Sequence, residues 1–213
     1  MLTITFIECT AVIAAAIFGV LLATRTNMDA TGLFAVAFAM AFGGGTVRDL
    51  CLDRHPLFWI ENSHYTVIVF FIALAASLAP GIVSKFERFL ILPDAIGMGL
   101  FTVAGADIAL DAGTSLFLAV LFGVITGTFG GVLADIICNE IPVLFRPGTP
   151  LCATCCFIGA WGFVIALKME LPRPGPAILG FSAVIIARLS AIKWRIALPP
   201  INRNRPPAPS EPK

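Results

Sequence analysis

Three ionisable residues stand beside glycine clusters in otherwise apolar sequence: Arg48 and Asp49 follow Gly43-Gly44-Gly45-Thr46, and Asp135 follows Gly130-Gly131. A charge at the centre of a bilayer costs about 2.5–3.5 kcal/mol on insertion scales, so charges in apolar segments often mark ion or substrate paths. Each glycine costs about 1 kcal/mol relative to alanine in a helix, so three in a row predict a local break or kink. Backbone groups freed by a break need protein or water, because lipid offers no partner. Close helix approach is the other common use of glycine in membranes. Neighbouring helical residues point about 100° apart, so Arg48 is expected to meet Asp135 or another carboxylate rather than Asp49. That pairing predicts a water-accessible, charge-paired constriction. The alternative has Arg48 snorkelling and both aspartates in a wet interface.

The elements that carry these residues follow from composition. Of 213 residues, 58% are hydrophobic and 13% charged, against roughly 45–50% and about 25% in soluble domains. Mean hydropathy is +0.95. These values exclude a soluble globular domain and a disordered chain. A net charge of +1, from 14 basic and 13 acidic residues, offers no field for nucleic acid. Apolar runs long enough for a core of about 30 Å occur at 4–24, 30–49, 64–84, 91–110, 114–138, 149–169 and 176–197. The reading is an all-α polytopic membrane protein of seven transmembrane helices. The first run lacks a basic n-region and is read as a retained helix, not a signal peptide. Residues 199–213, rich in Pro and Arg, read as a disordered tail.

A shift of 86 residues superposes the two halves without a gap, placing Gly19 on Gly105, Gly44 on Gly130, Gly45 on Gly131, Asp49 on Asp135 and Pro56 on Pro142, with Glu8 on Asp94. Three helices per repeat force the second copy into the membrane from the opposite side, an arrangement used by many transport proteins with the path at the repeat interface. The expected organisation is a first three-helix repeat at 1–88, a second at 89–172, a seventh helix at 173–198 and the tail. With the N-terminus outside, the inner side carries Arg25, Lys85, Arg88, Arg146, Lys193, Arg195, Arg203, Arg205 and Lys213, and the outer side only Arg54, Lys168 and Arg173. This bias places the C-terminus in the cytoplasm.

Asp107 and Asp111, with no basic residue in their own loop, are pore-mouth candidates that would concentrate cations, or simply a solvated helix end. Arg188 near the end of the last span either snorkels or binds lipid phosphate. His55 and His64 read as loop residues. Cys152 and Cys155 form a CxxC, yet the six cysteines lack metal-ligand spacing and read as buried apolar residues. There is no H-E-x-x-H, no G-x-S-x-G and no nucleotide loop, so no enzyme, metal or cofactor is expected.

Gly43-Gly-Gly-Thr-Val-Arg-Asp49 with Pro56-Leu-Phe-Trp59, and Gly130-Gly-Val-Leu-Ala-Asp135 with Asn139-Glu-Ile-Pro142, resemble prokaryotic members of the trimeric intracellular cation (TRIC) channel family across residues 4–197. The resemblance implies a homotrimer with one pore per subunit near the second and fifth helices, conducting potassium and sodium passively. It places kink glycines at Gly43, Gly44, Gly45, Gly130 and Gly131 and a charged pair at Arg48 and Asp49. With Thr46, Thr126, Thr128 and Asp135 these form the expected pore and gating set. Relatives often carry Arg-Asp in the second repeat, where this chain has Ala134-Asp135. The implied setting is a prokaryotic inner membrane, with lipids and further copies of the chain as partners and no soluble protein partner. The resemblance also keeps open a carrier for a small amino acid such as glycine.

Overall fold

The computed structural model describes residues 2–26, 28–78 and 91–197. The expected tail, the end of the third span at 79–84, and Lys85, Arg88, Arg203, Arg205 and Lys213 lie outside them. In chain order the helices are α1 (Leu2–Ala23), α2 (Ala30–Cys51), α3 (Phe58–Glu61), α4 (His64–Leu78), α5 (Ile91–Asp111), α6 (Leu116–Ile137), α7 (Ala153–Lys168) and α8 (Gly175–Lys193). Among the described residues, five helical segments are long and apolar enough to cross a membrane, while α4 and α7 are shorter. The 16 residues of α7 rise about 24 Å, less than a hydrocarbon core of about 30 Å. The expected run at 149–169 begins its helix only at Ala153, past Pro150.

Helix ends repeat at the 86-residue offset. The Asp29 side chain caps α2 by accepting from Gly32 N–H at 2.8 Å, and Ser115 caps α6 by accepting from Leu118 N–H at 3.4 Å. At the other ends, Asp53 (φ 51) and Asn139 (φ 56) take the left-handed conformation that Asp and Asn tolerate best after Gly. Arg54 N–H then donates to Asp49 C=O at 2.8 Å and Glu140 N–H to Asp135 C=O at 2.9 Å, closing both helices alike.

Packing relies on small residues, as expected where lipid is no less apolar than a side chain. One core joins α1, α2 and α4 through Ala11, Val12, Val36, Ala37, Tyr65 and Val69. A second joins α5, α6 and α7 through Val103, Ala106, Val120, Ala160 and Phe163. A Cβ at Gly19 would lie 3.1 Å from Val36 O, and one at Gly105 would lie 2.9 Å from Phe122 O, again 86 residues on. Large apolar side chains such as Phe70, Phe71, Ile158, Ile165 and Ile186 point outward.

Candidate functional site

The two glycine clusters meet. A Cβ on Gly44 would strike the Thr126 carbonyl oxygen, and one on Gly130 would strike the Met40 carbonyl oxygen. Offsetting the first contact by 86 residues gives the second, so the crossing of α2 and α6 maps onto itself. Pairs 44 with 126 and 40 with 130 run in opposite senses, so the helices are antiparallel. Both stay helical from end to end, through every glycine. The helices are therefore not broken at the glycines, which corrects the expected break; Gly44 and Gly130 are spent on backbone contact between the helices.

The same geometry corrects the expected pairing of Arg48 with Asp135. Antiparallel helices crossing at their glycines send their C-terminal charges to opposite ends. Arg48 lies level with about residue 122 of α6, and Asp135 lies about 13 residues further on, roughly 20 Å along the axis. Arg48 instead bonds its neighbour, with Nε donating to Asp49 Oδ1 at 2.8 Å and Nη2 2.7 Å from the same oxygen. The long Arg side chain bends back across the 100° between adjacent positions. Both residues are almost wholly enclosed, at 1% and 0% exposure, so Arg48 does not snorkel and Asp49 is not in a wet interface.

Residues beyond α2 close this end. Asp49 Oδ2 accepts from Phe58 N–H at 2.9 Å, and the Arg48 guanidinium sits 5.3 Å from the Phe58 ring centre. Gly45 makes room for that ring, which a Cβ would strike. Trp59 Nε1–H donates to Thr46 Oγ1 at 3.0 Å, while Thr46 donates to Phe42 C=O at 2.8 Å. Phe38, Phe42 and Phe58 pack around these rings. Glu8, 6% exposed, lies within electrostatic range of Arg48 and Arg54.

The Asp135 end is open by contrast. A cavity of about 310 Å3 runs between α1, α5, α6 and α8, lined by Thr126, Thr128, Gly130, Gly131, Asp135 and Met40 among others. Asp135 Oδ2 accepts from Val143 N–H at 2.8 Å, matching the Asp49 to Phe58 bond one residue out of register. Thr126 and Thr128 donate to Phe122 and Val124 carbonyls, both at 2.7 Å, which leaves oxygen lone pairs for a ligand at the cavity wall. Asp94, Glu140, Arg25, Arg146 and Arg188 complete the charged lining. These hydroxyls and charged groups stand among apolar side chains such as Phe18, Leu22 and Phe101 in the same wall.

Of the expected set, Thr126, Thr128, Gly130, Gly131 and Asp135 line the cavity, whereas Gly43, Gly44, Gly45, Thr46, Arg48 and Asp49 form the crossing and the closed end. Asp107 is a correction: it is 9% exposed, and Arg173 from the connection before α8 comes within 3.6 Å. Asp111 is exposed. Arg188 is another correction, being buried at 7% and bonded to Asp94, because α8 packs its end against α5. The Glu8 and Asp94 match across the repeats was the one available signal for Asp94; nothing in the sequence pairs it with Arg188.

The profile of the family described as "Glycine transporter" matches residues 5–80 and 91–168. A "UPF0126 membrane protein" of Vibrio cholerae is 37% identical over 188 residues, covering 86% of this chain and 77% of its own. The "UPF0126 inner membrane protein YadS" of Escherichia coli K12 is 35% identical, covering 86% and 89%. Among solved structures, one described by conductance through TRIC cation channels has a TM-score of 0.85 and 30% identity, covering 95% of this chain and 98% of that chain. The TRIC orthologue from Rhodobacter sphaeroides has a TM-score of 0.85 and 32% identity, covering 92% and 100%. The all-helical fold and the family are those of channels and transporters, and the chain is an integral membrane protein that belongs, with the prokaryotic members, to the trimeric intracellular cation channel family.

Proposed function

We propose that the chain forms a homotrimeric, potassium-permeable monovalent cation channel in a prokaryotic inner membrane, with one pore in each subunit along α6 near its crossing with α2. The observation that carries this reading is the cavity of about 310 Å3, which rises past Asp135 and Thr128 to Thr126 and Met40 at the glycine crossing. The path continues toward the closed end, where Arg48 and Asp49 act as the gate. Likeness to cation channels at 30% and 32% identity supports the activity. The name of the Escherichia coli relative supports the inner membrane.

In this reading the chain has seven transmembrane helices: repeats at 1–88 and 89–172, a seventh helix at 173–198 and a cytoplasmic tail at 199–213, with the N-terminus outside. Support comes from the duplicated helix ends and the self-mapping crossing. The protein needs no cofactor or metal, performs no enzymatic chemistry, and associates with lipids and further copies of itself. Potassium and sodium are the permeant ions. Asp111 lies at the outer mouth, where Asp107 is already balanced by Arg173.

A second reading, a carrier for glycine, is favoured by the description of the matching family. Proteoliposomes separate the two. The channel reading expects rubidium uptake driven by an outward potassium gradient and unaffected by glycine. Saturable glycine uptake without rubidium flux would establish the carrier instead.

A further inference from the structure

We infer that Arg188, supplied by the last helix, is a positioning and specificity-determining residue of the conduction path, because it holds Asp94 in a neutral pair at the open cavity. The inference rests on the channel reading and assigns α8 a part in conduction that the repeats alone would not give it.

Each half sets a carboxylate of its first helix near a buried arginine, but Arg48 bonds its neighbour Asp49 whereas Arg188 bonds Asp94 itself. Gly19 of α1 faces Val36 and Ala37 of α2, which brings Glu8 level with Arg48. Gly105 of α5 faces Phe122 of α6, which brings Asp94 level with position 134. The residue 86 positions after Arg48 is Ala134, fully buried, so the second half has no arginine of its own at that level. Arg188 supplies one from α8, directed at Asp94. Its Nη2 and Nε donate to Asp94 Oδ2 at 2.9 and 3.2 Å, and Nη1 donates to the Pro150 and Leu151 carbonyls at 3.1 and 3.4 Å.

The site is built rather than incidental. The Arg188 side chain is 9% exposed and the Asp94 side chain 17%. Leu151 N–H donates to Ile196 C=O at 3.2 Å, which ties the carbonyl-bearing segment to the chain just past α8. Arg188 and Asp94 both line the cavity, as does Asp135. The charged lining comprises Asp94, Asp135 and Glu140 against Arg25, Arg146 and Arg188, three of each sign. Removing Arg188 therefore leaves one uncompensated negative charge, and removing Asp94 one uncompensated positive charge. The pair sets how strongly the vestibule attracts cations.

A unit charge acting across about 7 Å of water changes the local concentration of a monovalent ion about threefold, an effect that salt screens. The test compares wild type, R188Q, D94N and D94N/R188Q in planar bilayers at low ionic strength and mildly alkaline pH, with assembly checked by size-exclusion chromatography. R188Q is expected to raise potassium conductance about threefold and shift the reversal potential toward potassium over chloride. D94N is expected to lower both, with the double variant between the two singles. Because the singles move in opposite directions, either one that assembles reads the sign. A purely structural ion pair would make both singles fall together or leave both unchanged, and either result overturns the inference. Absence of current from wild type overturns the channel reading itself, so the two failures are distinguishable.

Discussion

Replacing Gly44 by alanine tests the claim that the glycines serve helix contact. The added Cβ would overlap the Thr126 carbonyl oxygen and lie 2.9 Å from its carbon and 3.2 Å from its Cα. All three are backbone atoms of a helix, so no side-chain rotation relieves the contact and α2 and α6 must separate. Overpacking of this kind costs about 1–3 kcal/mol, and a rigid backbone neighbour places it at the upper end. Alanine returns about 1 kcal/mol of helix propensity. The net loss is about 1–2 kcal/mol, or several degrees at about 2–4 °C per kcal/mol for a chain of this length. Gly131 supplies the control, since a Cβ there would find only Met40 Cε at 4.0 Å and G131A keeps the propensity gain. Thermal unfolding in detergent is expected to rank G44A and G130A below wild type and G131A level with or above it. If G44A proved as stable as wild type, the crossing would not be the tight contact described here.

Other substitutions probe the remaining parts. R48M leaves Asp49 buried without its ion partner and is expected to cost about 3–5 kcal/mol, most of it recovered in R48M/D49N; a double-mutant cycle by denaturant unfolding measures this. W59F loses the indole donor to Thr46 and is expected to cost about 1 kcal/mol, without adding to the cost of T46V, in the same unfolding assay. D135N keeps an oxygen to accept from Val143 N–H, so the fold holds while potassium conductance at low salt drops about threefold and recovers at high salt.

The membrane class, most helix bounds and the matching glycine, aspartate and proline positions of the two halves were legible in the sequence because apolar run length and residue spacing are local or periodic signals. The 86-residue offset aligned Gly19 with Gly105, and the structure gives these two glycines matching contacts, with Val36 and with Phe122. What the glycines do was less legible. Propensity argued for a break, but propensity concerns an isolated helix, and a partner backbone at van der Waals distance holds the helix together. Arg48 departs from its expected direction for a related reason: helical angles describe Cβ directions, whereas a long guanidinium side chain can fold back onto its neighbour. Arg188 and Arg173 reach carboxylates 94 and 66 residues earlier in the chain, and no local pattern encodes contacts across that separation.

Unitary current recording of the purified wild-type protein in planar bilayers under a potassium chloride gradient tests the central claim most directly. The account predicts discrete steps with a reversal potential displaced toward that of potassium, unchanged by added glycine. Silence in the bilayer, alongside saturable glycine uptake by the same preparation in liposomes, would contradict it.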